Sequence, residues 1–188
     1  MRCYMKFNKY SHLEGAHAFL SPSQYHWVNY DLEKLENTYH RRQASLMGTR
    51  IHSFADECIS LGIKLPDEPK TLNMYVNDAI DLGMAAEVML YYSDNSFGTT
   101  DTILFKDNFL RIHDLKTGVT RASMKQLEVY TALFCLEYDI DENTIDIELR
   151  IYQGDEVICY VPDKEDISFI IDKIQTFDKR IDEIRMEG

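Results

Sequence analysis

Residues 98–118 read GTTDTILFKDNFLRIHDLKTG, and this stretch decides the fold. It is rich in β-branched and aromatic residues on both sides of Asp107 and Asn108, which predicts two strands joined by a tight turn. If those two residues form the turn, continuing the antiparallel pairing outward sets Asp101 opposite Asp114. Two carboxylates facing each other across a sheet repel, so this register is unfavourable unless a cation lies between them.

Lys116 follows Asp114 by two residues, so its side chain points to the same face of the strand. Two carboxylates and a lysine on one face predict a divalent-metal site with a group that acts on water. The alternative is an ion pair of Lys116 with Asp114 or Asp101 on a solvated face, since charged residues are common on exposed strands. Taken with the other motifs of the chain, the pattern favours the metal site.

The composition indicates a globular protein. The 188 residues are 45% hydrophobic and include 12 tyrosines, which allows one domain with a sizeable core. No apolar run reaches about eighteen residues, so no membrane span is expected. The first ten residues, MRCYMKFNKY, carry charge without an apolar segment, and no secretory signal is expected.

Charge and cysteine content narrow the functional classes. The net charge of −12 argues against broad, non-specific affinity for nucleic acid, although a metal cluster with a local basic patch still allows a nuclease. The cysteines lie far apart and lack the paired spacing of a zinc or iron–sulfur site. Reduced thiols in a cytoplasmic protein are therefore expected at Cys3, Cys58, Cys135 and Cys159.

The predicted order of elements is helices, three strands, a helix, two strands and a final helix, which indicates a mixed α/β (α+β) fold with one central sheet. Helices are predicted over about 21–39, 43–61, 71–84 and 121–138, and from 163 onward. Ser21 or Ser23 is expected to cap the first helix, with Pro22 in its first turn. Strands are predicted over about 86–92, 97–105, 109–116, 144–152 and 156–161.

Five short motifs follow one another between about residues 20 and 135: Ser21-Pro22-Ser23, Gly48-Thr49-Arg50-Ile51-His52, Gly98-x-x-Asp101, Asp114-Leu115-Lys116-Thr117-Gly118 and Gln126-x-x-x-Tyr130. In this order they resemble the PD-(D/E)XK nuclease superfamily, in its RecB-type and phage-type exonuclease branch. The resemblance implies a restriction-endonuclease-like core, with a central mixed sheet flanked by helices. One nuclease domain is then expected over 1–188, with a helical part at about 20–84, a catalytic sheet and helix at about 85–161 and a C-terminal helix at about 163–187.

The resemblance also implies the catalytic roles. Asp101 and Asp114, helped by the backbone carbonyl of Leu115, would hold one or two Mg²⁺ or Mn²⁺ ions, which lower the pKa of a bound water and offset charge on the scissile phosphate. Lys116 would orient or deprotonate the attacking water, or stabilise the developing charge. Gln126 would help to hold the lysine and the water.

Two further metal ligands stay open. His52 matches a helical Gly…His motif of the branch and would tilt the preference toward Mn²⁺, but a lone histidine beside an apolar helical stripe is as readily a core residue. Glu87 resembles the glutamate that many members place before Gly-x-x-Asp. Its orientation depends on the register of the turn at 93–96, and a surface glutamate is an equal alternative. His113 is expected to point to the face opposite Asp114 and to be structural.

Contacts with DNA have weaker signals. Tyr130 follows Gln126 by four residues on one helix face; the resemblance sets it near the DNA backbone, whereas its apolar neighbours favour the core. Arg41 and Arg42 either grip a DNA end or complement the dipole at a helix end. The remaining candidates for the phosphate path are the cationic residues closest in sequence to the motifs, namely Arg50, Arg121 and Lys125.

The predicted function is a metal-dependent deoxyribonuclease, an exonuclease acting at DNA ends in recombination, repair or phage DNA processing. Many RecB-type members carry a cysteine-bound iron–sulfur cluster, but here Cys159 is the only cysteine after Cys135, so no such cluster is expected. DNA is the expected partner, in the cytoplasm or in the host cytoplasm of a phage, with no membrane. A single-strand annealing protein or other recombination partner, and a homo-oligomer, stay open.

Two alternative functions stay open as well. A structure-specific or restriction-type endonuclease would use the same chemistry, although 188 residues leave little room for an added recognition element. A non-catalytic acidic scaffold or DNA mimic would suit the charge. Against the scaffold stands the complete set of Asp101, Asp114, Lys116 and Gln126, because a protein without catalysis has no physical reason to retain opposed carboxylates.

Overall fold

A mixed five-stranded sheet forms the centre of the computed structural model, which describes residues 8–187. Along the sheet the strands lie in chain order, and neighbours are antiparallel except for the parallel third and fourth strands. The strands are β1 (Ala85–Ser93), β2 (Ser96–Lys106), β3 (Phe109–Leu115), β4 (Asp146–Gln153) and β5 (Glu156–Tyr160). The predicted fold class, helices flanking a mixed sheet, is confirmed.

The hairpin that joins β2 and β3 forms as the sequence predicts. Asp107 and Asn108 have φ angles of 52° and 58°, and two consecutive residues with positive φ make the type I′ turn that suits the twist of a two-residue hairpin. Lys106 consequently lies opposite Phe109. The same chemistry recurs between β4 and β5, where Gly154 and Asp155 also have positive φ.

Four α-helices and three short 3-10 helices accompany the sheet within the described residues. The α-helices are α1 (Leu32–Leu61), α2 (Thr71–Leu82), α3 (Lys125–Tyr138) and α4 (Lys164–Glu187), and the 3-10 helices are Ser11–Leu13, Pro22–Asn29 and Glu142–Thr144. Because β3 and β4 are parallel, the chain must cross over between them, and α3 provides that crossover. Gly83 follows α2 with a φ of 70° and ends the helix. The last helical residue is therefore Leu82, two residues before the predicted end at 84.

The predicted boundary between helices at 21–39 and 43–61 is wrong, because α1 runs through it without a break. Asp31 starts α1, since its Oδ1 accepts a hydrogen bond from the N–H of Lys34 at 2.7 Å. Residues 40–43 contain neither glycine nor proline, so nothing ends the helix there. Ser21 does occupy the N-cap position of Pro22–Asn29, but its hydroxyl bonds to Ser23 Oγ (2.8 Å) and caps no backbone N–H.

The chain divides into two compact units, Met1–Leu46 and Met47–Gly188. The first contains two of the 3-10 helices and the beginning of α1. The second contains the rest of α1, the sheet and the other helices. The expectation of one nuclease domain over 1–188 stays a prediction, and each unit is described by itself.

The second unit has two clusters of buried apolar side chains. One includes Leu110 and Ile112 of β3 together with residues of α3 and α4. The other includes Leu115 of β3 and Tyr152 of β4 together with residues of α1 and α2. Buried side chains of this size contribute about 1.5–3 kcal/mol each, so both clusters hold β3, the strand of the Asp114 motif, in position.

Two further predictions can be compared with the structure. Among the residues described, no helix is both long enough and apolar enough to cross a membrane. Cys58, Cys135 and Cys159 are free thiols, as expected, whereas Cys3 lies outside the described residues, as does most of the N-terminal decapeptide.

Candidate metal centre

The β2–β3 ladder ends beside the two aspartates that the sequence singles out. The last backbone pair is Thr102 with His113, so the expected pairing of Asp101 with Asp114 does not form. Instead, Asp101 Oδ2 accepts a hydrogen bond from the backbone N–H of Leu115 at 2.8 Å. Just beyond the last backbone pair, the carboxylate thus accepts the kind of hydrogen bond that a strand carbonyl accepts within the ladder, and its charge still raises the pKa of Asp114.

Glu87 of β1 faces Asp101. The ladder pairs Ala86 with Thr102 and Val88 with Thr100, so Glu87 lies opposite Asp101 in the register. Its own backbone has a φ of 51°, an uncommon and strained value for a residue with a side chain. The register of β1 shifts between Tyr91 and Ser93, at the turn on which the orientation of Glu87 was expected to depend.

His52 of α1 completes a group of three potential metal ligands. Its Nδ1 lies 3.4 Å from Asp101 Oδ2, and one ligand atom from each of His52, Glu87 and Asp101 lies within 4.8 Å of the others. The hydrogen bond to Asp101 raises the pKa of His52, against the opposing effect of burial. Burial, followed by the charge of Asp101, raises the pKa of Glu87. These three residues are called the acidic half of the centre.

Asp114 lies in a separate arrangement, in which it is paired with Lys116. The aspartate is 3% exposed, and Lys116 Nζ lies 2.9 Å from both of its carboxylate oxygens. Only Oδ1 receives a well-directed hydrogen bond; Oδ2 is buried and accepts none from residues 8–187. Burial, followed by the charge of Asp101, raises the pKa of Asp114 to about 6, although Lys116 opposes the shift.

Gln126 and Tyr130 of α3 extend this arrangement. Gln126 Oε1 accepts a hydrogen bond from Lys116 Nζ at 3.0 Å, and Gln126 Nε2 donates one to the Tyr130 hydroxyl at 3.3 Å. The ring of Tyr130 packs against the apolar cluster, so this residue has both of the environments considered for it. Asp114, Lys116 and Gln126 are called the lysine half of the centre.

Two glycines of the motifs are required by close approaches. A Cβ on Gly48 of α1 would lie 2.9 Å from Thr117 Oγ1, and a Cβ on Gly98 would lie 3.0 Å from Tyr130 Cε1. Both distances are shorter than ordinary van der Waals contact. Glycine therefore lets α1 approach the loop after Lys116, and lets Tyr130 lie against β2.

Gln153 is a residue that the sequence did not identify. Its Nε2 donates to the carbonyl oxygens of Gly118 (2.6 Å) and Thr120 (2.8 Å), and its Oε1 accepts from the N–H of Ala122 at 3.0 Å. These bonds hold the loop between Lys116 and Gln126. Because they engage backbone groups as far as Ala122, α3 begins at Lys125 instead of the predicted 121. No sequence signal marks this role, because Gln153 reads as an ordinary residue beside a hairpin turn.

Asp56 is a second residue that was missed. Its charge contributes to the raised pKa of Glu87, and it lies one helical turn after His52 on α1, a spacing that could have identified it.

His113 is fully buried with its Nδ1 3.3 Å from the Tyr152 hydroxyl, in agreement with a structural role. Burial lowers its pKa to about 3, which keeps the ring neutral.

The cationic candidates differ in their surroundings. Arg50 and Arg121 are exposed, and Lys125 forms an ion pair with the buried Glu128. Arg41 and Arg42 lie inside α1 instead of at a helix end, so complementing a helix dipole no longer explains them.

The carboxylates of Glu87, Asp101 and Asp114 are ligands that Mg²⁺ and Mn²⁺ prefer. The imidazole of His52 suits Mn²⁺ better than Mg²⁺. Asp114 Oδ2 lies 2.9 Å from Lys116 Nζ but accepts no well-directed hydrogen bond from residues 8–187, so it can supply a further acceptor to a cation. Leu115 is 1% exposed, with its N–H engaged by Asp101.

Comparison of the chain with protein-family models, curated proteins and solved structures finds no match.

Proposed function

We propose that this protein is a metal-dependent deoxyribonuclease of the PD-(D/E)XK type that hydrolyses phosphodiester bonds at DNA ends. The observation that carries the proposal is the convergence of the ligand atoms of His52, Glu87 and Asp101 within 4.8 Å, beside the pair of Asp114 and Lys116. Charge couples the two halves of the centre, since Asp101 raises the pKa of Asp114.

The acidic half and Asp114 would hold Mg²⁺ or Mn²⁺. When bound, the ion supplies Lewis-acid chemistry: it makes a bound water more acidic and offsets charge on the phosphate. Carboxylates this close to each other repel and lower the stability of the fold when no cation is bound. The same repulsion favours the binding of a metal ion, which removes it.

Lys116 is the residue that acts on the reacting groups. An ammonium has three N–H donors, and Asp114 and Gln126 engage two of them. The third remains for the attacking water or for a phosphate oxygen. Because Asp114 is buried and Gln126 donates to the Tyr130 hydroxyl, the donor is held in place before substrate binds, which is the main requirement for electrostatic stabilisation of a transition state.

The first test is digestion of end-labelled linear DNA and closed circular DNA with Mg²⁺, Mn²⁺ or EDTA. We expect metal-dependent loss of linear DNA with circles spared, and the position of the label gives the direction of digestion. The Asp101→Asn variant should be inactive and Asp107→Asn fully active, since Asp107 is a carboxylate of the same hairpin that lies in the turn.

Each other result points to a named alternative. Cleavage of circles would replace the exonuclease with an endonuclease that uses the same centre. Absence of cleavage with either metal, in a folded protein that also fails to bind Mn²⁺ in calorimetry, would leave the acidic scaffold. Full activity of Asp101→Asn would remove the proposed centre itself.

A further inference from the structure

The first unit differs in charge from the rest of the chain. Residues 1–46 contain six Lys and Arg against four Asp and Glu, whereas residues 47–188 contain fourteen against twenty-eight. The unit Met1–Leu46 is therefore net positive in a strongly acidic protein. Within residues 8–46 the charges balance, with four Lys and Arg against four Asp and Glu, so this part of the chain lacks the acidic excess that repels the phosphate backbone of nucleic acid.

A cavity of about 310 Å³ lies within this unit. Three of its lining residues are aromatic, and the others supply an amide, an imidazole, a hydroxyl and a guanidinium. The volume is at the lower end of the range for small-ligand sites. The lining residues are Phe19, Gln24, His26, Trp27, Tyr30, Thr38 and Arg42.

Two of these side chains are held in place by the unit itself. Trp27 Nε1 donates a hydrogen bond to the carbonyl oxygen of Ser21 at 2.9 Å. Arg42 donates from Nη2 to the carbonyl oxygen of His17 at 2.9 Å, with its guanidinium 5.7 Å from the centre of the Phe19 ring. A guanidinium has five N–H donors, so most of the donors of Arg42 remain for a ligand.

Gln24 has hydrogen-bonding capacity that the described part of the chain does not use. Its side-chain amide has no hydrogen bond to any of residues 8–187, although it lines the cavity. An amide offers both a donor and an acceptor, which is the pattern that the edge of a nucleobase complements. Flat aromatic surfaces, an unused amide and a guanidinium together match a base and its phosphate better than they match a purely apolar ligand.

We propose that this cavity binds an unpaired nucleobase of single-stranded DNA, with the adjacent phosphate at Arg42. The base stacks on the aromatic rings, and Gln24 bonds to its edge. Paired bases are stacked inside the duplex and cannot enter, so the site distinguishes single strands from duplex. Binding here requires neither the metal nor cleavage, and it can hold even if the second unit has no nuclease activity.

Trp27 is the only tryptophan of the chain, so its fluorescence reports directly on the cavity. In EDTA, where metal-dependent cleavage cannot occur, we would titrate the whole protein with oligo(dT), with a closed duplex hairpin and with free thymidine monophosphate. We expect saturable quenching by oligo(dT), at least tenfold weaker binding of the hairpin and weaker binding of the monophosphate, which lacks neighbouring phosphates.

Two adjacent arginines provide a matched pair of variants. Arg42→Gln and Arg41→Gln change the net charge equally, but only Arg42 lines the cavity. Loss of one phosphate contact should lower the slope of log K against log salt by about 0.7, and we expect this for Arg42→Gln alone. Because Arg42 also bonds to His17, Gln24→Ala serves as a second variant that breaks no hydrogen bond within residues 8–187.

A third variant measures stacking. Tyr30→Leu should weaken oligo(dT) binding by roughly five- to 150-fold, the range for loss of one base–aromatic contact, while Tyr10→Leu outside the cavity leaves it unchanged. Unchanged fluorescence with oligo(dT), equal affinities of the Arg41 and Arg42 variants, or equal binding of hairpin and single strand would each overturn the proposal. Equal binding of the free monophosphate would replace a strand site with a nucleotide site and would also overturn it.

The test of the base site can succeed or fail independently of the test of the nuclease proposal. The Asp101→Asn variant, inactive under the proposed function, should bind oligo(dT) with the affinity of the unmodified protein. Quenching with no cleavage would leave the base site standing without the nuclease, and cleavage with no quenching would do the reverse.

Discussion

The two halves of the candidate centre differ in how the negative charge of their carboxylates is neutralised. In the lysine half, Asp114 is neutralised by Lys116, which Gln126 holds in turn. In the acidic half, Glu87 and Asp101 share His52 as their close basic partner, and the charge of Asp101 raises the pKa of Glu87. The lysine half therefore contains its own cation, whereas the acidic half gains most from an added one.

The largest effect is expected from Asp101→Asn, which removes charge from the acidic half. We expect loss of Mn²⁺ binding in calorimetry, loss of the metal-dependent rise in Tm, and at least a thousandfold loss of cleavage. The fold should persist, because the asparagine oxygen can still accept the N–H of Leu115. Asp107→Asn is the control, and a Mn²⁺ affinity equal in both variants would contradict the assignment of the acidic half.

Lys116→Gln tests the lysine half and separates it from the acidic half. Removing a preorganised donor to the developing charge typically lowers the rate by about 100- to 1,000-fold, and we expect a loss of that order with Mn²⁺ affinity kept within about threefold. Lys106→Gln changes an exposed lysine of the same hairpin and should leave both quantities unchanged. If the variant of Lys116 lost metal binding as well, the two halves would not be functionally distinct.

Gly48→Ala tests the packing of α1 against the loop that follows Lys116. Alanine in a helix interior normally stabilises by about 0.5–1 kcal/mol over glycine, but a Cβ here would lie 2.9 Å from Thr117 Oγ1. We expect a loss of about 1–3 kcal/mol in the free energy of unfolding, measured by urea denaturation, with reduced cleavage.

The control for Gly48→Ala is the double variant Gly48→Ala/Thr117→Ala, which removes the clashing hydroxyl. Most of the lost stability should return in it. Stability of the single variant equal to or above that of the unmodified protein would show that α1 does not approach the loop this closely.

Gln126→Ala should have the smallest effect of the four. Lys116 would keep its ion pair with Asp114 and lose one hydrogen bond, so we expect about a tenfold decrease in kcat, with unchanged Mn²⁺ affinity and Tm within about 2 °C. Gln175→Ala, on the exposed side of α4, is the matched control. A loss as large as that of Lys116→Gln would mean that Gln126 contacts the reacting groups directly.

Local chemistry explains why much of the fold was predictable. The turn at Asp107 and Asn108 forms from those two residues alone, and it sets the register of β2 and β3 without help from the rest of the chain. The joined helix α1 was not predicted because helical periodicity weakens where few side chains of a helix are buried, and most of residues 32–46 are exposed. The true start, at Asp31, depends on a side-chain cap.

The sequence by itself determined the mixed sheet, the β2–β3 hairpin and which residues can carry metal chemistry, because strand pattern, turn residues and carboxylate spacing are local properties. Only the tertiary structure decided how those residues are grouped. It brought Asp101 together with His52 and Glu87 while pairing Asp114 with Lys116, and it recruited Gln153 to hold the loop between Lys116 and Gln126. These choices depend on contacts between distant segments, on a strained backbone at Glu87 and on two glycines that admit close approach, and such contacts leave no periodic trace along the chain.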